Sequence, residues 1–308
     1  SRLSVISQSG GVGQMIVTRL IDEGVAINKW ICVGNRASLE VVDCLQYLAG
    51  DGTTGVIAVF IEGIERAREF VELAAEVTRG KPVVVFKAGD SELAQQCALT
   101  HTGSMAGNRK MYRDIFEQFN LLVVDSIGQL VSACKALVLA PPAAGNRVGV
   151  FTPTAGPSIV LVDELERLGC RVEPWAEVTH ERLAPIFQGI PVIVKNPLDA
   201  AVVGYAAESY AQVAEIILHD PHIDILIVIN TAHKNRRFPA QELAAAQKAA
   251  GKPVLIHYIA TRCDRDVYLN ELQGAGIPVY TDAIEAAWGA DALARFGTRT
   301  RGEHLGRD

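Results

Sequence analysis

Aromatic residues make up only 6% of this 308-residue chain, and its 29 Lys and Arg are outnumbered by 35 Asp and Glu, a net charge of −6. That shortage excludes the basic surface interleaved with aromatics that a nucleic-acid backbone requires. No apolar run approaches the roughly 20 residues of a membrane-crossing helix. Residues 1–20 also lack the charged, apolar and cleavage regions of a secretory leader, so a soluble, cytoplasmic chain is expected. Cys32, Cys44, Cys97, Cys134, Cys170 and Cys263 form no C-x-x-C pair, and the chain is too large to need disulfide staples. They are expected to be reduced, buried thiols. The chain opens at Ser1 and enters a strand pattern at once, which suggests a piece of something longer.

What is present is a regular alternation. Apolar, β-branched runs such as "LSVIS", "GVIAVFIEG" and "KPVVVFKAG" alternate with helical patterns such as "GQMIVTRLIDEG" and "ERAREFVELAAEVTRG". Continuous apolar strands separated by helices predict a parallel sheet covered on both faces. The pattern then repeats: "RLSVISQSGGVGQMIVTRLIDEGVAI" from Arg2 is echoed by "RVGVFTPTAGPSIVLVDELERLGCRV" from Arg147, and "GKPVVVFKAG" from Gly80 by "GKPVLIHYIA" from Gly251. The expected fold is α/β, two tandem flavodoxin-like doubly wound parallel-sheet domains, at 1–142 and 146–298, with a charged tail at 299–308. The short Pro- and Ala-rich stretch from Ala140 to Asn146 suits the linker.

Ligands of open parallel sheets bind beyond the carboxyl ends of the strands, so the turns after strands carry the chemistry. In the first copy these turns are Ser7 to Gly11, Gly34 to Arg36, Glu62 with Gly63, and Lys87 to Ser91. Ser9, Gly10 and Gly11 stand just before a helix, where backbone N–H groups and the helix dipole favour an anion, and they form a candidate phosphate cradle. A dinucleotide fingerprint fails here, because "GGVGQM" has no third glycine at the required spacing and no acid ends the next strand.

His101 sits in Thr-His-Thr-Gly-Ser ahead of a helix that Ser104 or Asn108 can cap. The N–H groups of such a turn suit a histidine that receives and passes on a phosphoryl group, with a carboxylate to orient its ring. Glu62 is the acid best placed for that role. A histidine serving only structure remains the alternative at this point. The second copy has no His-Thr-Gly, so any such chemistry belongs to the first.

"VISQSGGVGQ", "GNRASLEVVDCLQYLAGD", "VKNPLDA" and above all "THTGSMAGNRKMYRDIFEQ" resemble the α portion of NDP-forming acyl-CoA synthetases, relatives of succinyl-CoA synthetase. The resemblance runs over nearly the whole chain. It implies the reaction acyl-CoA + phosphate + NDP ⇌ carboxylic acid + CoA + NTP, through an acyl phosphate and a phosphohistidine. By position it implies that His101 carries the phosphoryl group and Glu62 steadies it. It further implies that Ser9 and Gly10, with Thr102 and Gly103, bind phosphate; the turns themselves add Gly11 and Ser104, with Lys87 and Ser91 as secondary candidates and no metal ligand expected. CoA, ATP or ADP with magnesium, and a small carboxylic acid are the implied cofactors and substrates. A CoA-binding domain and an ATP-grasp domain or subunit are the implied partners, with oligomerisation open.

Departures are present too. The loop often reading Lys-Ser-Gly-Arg-Ser is here Lys-Ala-Gly-Asp-Ser, and Asp90 replaces a basic residue. A ligand-sensing module of a protein acetyltransferase fusion and a vestigial assembly domain are the alternatives. Elsewhere, His219, Asp220, His222 and Asp224 read as a solvated loop before a metal site, His257 as strand packing, and His233 to Phe238 as a basic loop. Asn196 to Asp199 read as an interdomain turn, and Asp291, Arg295 and the residues beyond as a frayed terminus.

Overall fold

The structure, a computed structural model, describes residues 2–35, 38–89, 91, 93, 109–201, 203, 207–231 and 238–300. The chain divides into two compact units, Ser1–Val138 and Leu139–Asp308.

In the first unit the strands are β1 (Leu3–Ser7), β2 (Ile27–Cys32), β3 (Val56–Ile61), β4 (Val83–Lys87) and β5 (Leu122–Val124). They form one parallel sheet in the order β2-β1-β3-β4-β5. The described helices are α1 (Gly10–Asp22), α2 (Val41–Gly50), α3 (Ala67–Val77), α4 (Arg109–Gln118) and α5 (Ile127–Leu139). Strands β1 and β3 are buried at every position, as a sheet covered on both faces demands. Strand β2 lies at the edge and is half exposed.

The second unit repeats the plan. Its strands are β6 (Val148–Thr152), β7 (Leu198–Asp199), β8 (Ile225–Thr231), β9 (Val254–Ile259) and β10 (Val279–Tyr280), in the order β10-β9-β8-β6-β7. Its described helices are α6 (Ala155–Arg167), α7 (Glu177–Leu183), α8 (Ala207–Leu218), α9 (Ala240–Ala250), α10 (Arg262–Gly274) and α11 (Ala283–Thr300). In local numbering both sheets read 2-1-3-4-5, the flavodoxin-like order, so the expected fold class is observed twice.

Four expectations change. Asn196 lies inside the second unit rather than between the two: its Oδ1 accepts from Val150 N at 3.0 Å, and its Nδ2 donates to Val148 O at 2.9 Å and Glu173 O at 2.8 Å. The carboxamide thus pairs the β6 backbone where β7 is too short to reach. The chain is helical to Thr300, and Asp291 and Arg295 pair one turn apart at 3.5 Å within α11, with Thr298 buried, while residues 301–308 of the expected tail lie outside the described residues. Cys44, Cys134 and Cys170 are buried, whereas Cys32 and Cys263 are exposed, and Cys97 lies outside the described residues. Finally, Asp220 and Asp224 are buried rather than solvated.

Both aspartates are held by hydrogen bonds in the second unit. Asp220 accepts from Ala176 N at 3.0 Å and His222 N at 2.6 Å. Asp224 takes Arg147 in a fork, from Nε at 2.9 Å and from an Nη at 2.8 Å, and also accepts the Arg147 backbone N–H at 3.1 Å. Burial opposes ionisation of Asp224, but the Arg147 hydrogen bonds and charge outweigh it and hold the carboxyl below its ordinary value. A depressed carboxyl stabilises the fold above its unfolded value, about pH 4, and that contribution is lost as pH falls through the lower folded value. Asp224→Asn should therefore cost about 2 kcal/mol at neutral pH, the Arg147 side chain being partly exposed. It should also flatten the loss of stability between pH 5 and pH 2, read as denaturant midpoints across roughly that range. An unchanged acid slope would contradict the assignment.

Candidate functional site

In a 2-1-3-4-5 sheet the crevice opens where β1 and β3 diverge at their carboxyl ends. Register places Ser7 beside Phe60 and Cys32, and Ile61 beside Lys87, so the turns after β1, β3 and β4 share one edge.

The first turn is built from small residues. The buried Ser7 hydroxyl donates to Ser9 O at 2.6 Å. Ser9 is the N-cap of α1, in extended conformation, and its Oγ accepts from Val12 N at 3.4 Å. The N–H groups of Gly10 and Gly11 then lie in the first helical turn, where no intrahelical acceptor exists. Both glycines are exposed, and a Cβ built on Gly11 would meet nothing within 4 Å, which leaves the backbone open to approach. Gly13 is different: a Cβ there would fall 2.7 Å from Trp30 Nε1 and 2.9 Å from Ser7 Cβ. Only glycine lets α1 pack this closely on β1 and β2.

The second turn is tied to the first by a residue that sequence reasoning passed over. Gln8 is 2% exposed. Its Oε1 accepts from Glu62 N at 2.5 Å and Gly63 N at 3.1 Å, while its Nε2 donates to Gly63 O at 2.6 Å. Glu62 follows directly on β3, and its Oε2 is buried with no hydrogen-bond partner among the described residues. At the end of β4, Lys87 is 4% exposed, donates to Ala88 O and has its ammonium 5.1 Å from the Tyr112 ring centroid. Ser91 is described and exposed. The structure thus brings Ser9, Gly10, Gly11, Glu62 and Lys87 to one edge. His101, Thr102, Gly103, Ser104 and Asp90 lie outside the described residues.

Chemically, this edge offers helix N–H donors, a buried cation and a carboxylate with one buried oxygen, which suits an anionic ligand handled beside an acid–base group. Among the described residues no three His, Cys, Asp or Glu side chains stand close enough to hold a metal ion. No helix among them is long and apolar enough to cross a membrane.

Residues 1–137 match the succinyl-CoA ligase like flavodoxin domain. The chain is 36% identical over 304 residues to the alpha subunit of ADP-forming acetate–CoA ligase II of Pyrococcus furiosus, covering 95% of this chain and 65% of that protein. It is 31% identical to ADP-forming acetate–CoA ligase I of Archaeoglobus fulgidus, covering 100% of this chain and 44% of that one. Over nearly its whole length the chain is thus similar to ADP-forming acetate–CoA ligases. Among solved structures it is similar to the dinucleotide forming acetyl-coenzyme A synthetase 1 of Ca. Korarchaeum cryptofilum in complex with phosphate and ADP. There the TM-score is 0.87 at 28% identity, over 98% of this chain and 66% of that one. The chain therefore spans less than two thirds of the length of the curated relatives named here.

The two glycine environments give opposite predictions. Gly13→Ala should lower the melting temperature, because the methyl must displace Trp30 or Ser7. Gly11→Ala should raise stability by about 0.5 kcal/mol through helix propensity. Thermal melts of both variants check this, and a neutral Gly13→Ala would refute the close approach.

Proposed function

We propose that this chain is the phosphohistidine-bearing module of an NDP-forming acyl-CoA synthetase that interconverts carboxylic acid, CoA and NTP with acyl-CoA, NDP and phosphate. The observation that carries the proposal is the buried, unpartnered Glu62 Oε2 beside the open N-terminus of α1. A buried carboxylate oxygen without a donor is costly, and a histidine N–H is the donor it lacks.

In this reading one nitrogen of the His101 ring donates to Glu62 and the other attacks the phosphorus of an acyl phosphate. The bond between phosphorus and the acyl oxygen breaks, and the carboxylate leaves. The phosphoryl group then passes from His101 to NDP. The N–H groups at Ser9, Gly10 and Gly11, with Thr102, Gly103 and Ser104, stabilise the phosphoryl oxygens through the transfer. Lys87 and Ser91 are secondary phosphate ligands, and the Lys87 charge at the same edge would offset that of the phosphoryl group. CoA binding and nucleotide binding with magnesium belong to further domains or subunits, a CoA-binding and an ATP-grasp part, which the relatives' greater lengths leave room for. A small carboxylic acid is the substrate, and the setting is cytoplasmic.

The test is acid-labile, base-stable phosphate labelling of the full-length protein with ATP and magnesium, mapped by mass spectrometry. Label on His101 should vanish in His101→Ala. It should form about 100-fold more slowly in Glu62→Gln, within the range of acid–base and orienting contributions. Discharge of the label by carboxylic acid and CoA would identify the ligase. No label on a folded, ATP-binding protein would reject the mechanism and leave a ligand-sensing role.

A further inference from the structure

The Gln8 side chain does something the turn itself does not require. Ser7 and Thr152 occupy equivalent positions in the two copies, and the Thr152 hydroxyl donates to Thr154 O at 2.7 Å just as Ser7 donates to Ser9 O. The second unit builds this turn with Pro153 in the place of Gln8. A glutamine is thus unnecessary for making the strand-to-helix turn.

What Gln8 adds is a bracket on two successive residues, Glu62 and Gly63, 54 and 55 positions away. Its carboxamide accepts two successive N–H groups, from Glu62 and Gly63, and returns a hydrogen bond to Gly63 O. Its own N–H donates to Phe60 O at 3.2 Å, and Ile61 O accepts from Ala88 N at 2.9 Å, so the two residues just before Glu62 are held as well, one from the β1 side and one from the β4 side. Beyond Ile61 the β1–β3 ladder has ended, and the Gln8 side chain continues it as an extra rung. The residue so held is the one whose carboxylate oxygen is buried and unpartnered.

We propose that Gln8 is a positioning residue: it fixes the direction of the Glu62 carboxylate and couples it to the anion cradle that begins at Ser9. This rests on the phosphohistidine reading of the same site. A buried bracket suits this task, because misplacing a reacting or orienting group by about 1 Å costs roughly 100-fold in rate.

The experiment is a double-mutant cycle on the full-length protein, with single-turnover labelling of His101 by radiolabelled ATP and magnesium as the readout. Gln8→Met, which keeps the shape and removes the hydrogen bonds, should slow labelling by about 10- to 100-fold. In a Glu62→Gln background the same substitution should cost less than about threefold, because Gln8 acts through Glu62. Gln8→Glu, which keeps the acceptor for both amides, should retain more of the rate than Gln8→Met. Hydrogen-exchange mass spectrometry should show faster exchange of peptides spanning Ala58 to Arg66 in Gln8→Met, with α3 unchanged.

Equal losses in both backgrounds would mean a general structural role and overturn the assignment. So would unchanged exchange and labelling in Gln8→Met. Absence of label in the unsubstituted protein would instead overturn the reading beneath, and the assignment with it, without reference to any variant.

Discussion

Everything at the candidate site depends on one constraint of parallel sheets: all strands end at the same edge. The ladder satisfies backbone groups only as far as the strands run together, and beyond Ser7 and Ile61 the chain must find other partners for its N–H and C=O groups. At the carboxyl edge of the first unit those partners are side chains and a helix terminus. Ser7 answers Ser9 O, Gln8 answers Glu62 and Gly63, and the first turn of α1 retains donors that no intrahelical acceptor reaches. The groups proposed to receive an anion at this edge are the same ones that finish the fold there.

The duplication shows how little of the site comes from the scaffold. Both units share sheet order and the hydroxyl at the end of the first strand that bonds the carbonyl two residues on, though Ser9 caps α1 with its side chain and Thr154 makes no such cap on α6. They part at single residues. Gly13 lets α1 close on Trp30 and Ser7, whereas the equivalent Ser158 is buried and turns its hydroxyl back to Ala155 O at 2.7 Å. Gln8 becomes Pro153, which has no carboxamide to hold a neighbouring turn. The second unit invests charged residues at the opposite edge, where Asp224 holds Arg147 just before β6 and Asp220 accepts from Ala176 N at the start of α7. One copy thus bears the equipped carboxyl edge and the other a reinforced amino edge, on the same order of strands.

Local pattern revealed what local physics decides. Continuous apolar runs, helical spacing and glycine-bounded turns are short-range signals, and they gave the strands, the helices and the repeat. The unread features are all contacts between distant residues. Gln8 meets Glu62 across 54 positions, Asn196 pairs β6 across 46, and Arg147 meets Asp224 across 77. Nothing in the neighbourhood of a buried aspartate distinguishes it from a solvated one, so Asp220 and Asp224 read as loop. Gln8 did leave one trace, an amide where the second copy has proline, but only the fold gives that difference a meaning.

A carboxylate and a phosphoryl group carry the same sign of charge, and this sets the terms on which they share an edge. At about 5 Å and an effective dielectric constant near 20, their repulsion is roughly 3 kcal/mol per pair of unit charges. A helix N-terminus returns typically 0.3–1 kcal/mol and at most about 2. The cradle at Ser9 therefore does not balance Glu62 by itself. A cation at the same edge does, and Lys87, one strand over from Glu62 and removed from water, is placed to supply it without competition from solvent. Desolvating an ammonium is unfavourable unless an anion or ring face attends it, and the Tyr112 ring attends this one. In the function proposed here, a carboxylate directed by Gln8, donors from α1 and a buried lysine act as one electrostatic unit, in which each charge is tolerable because the others are there.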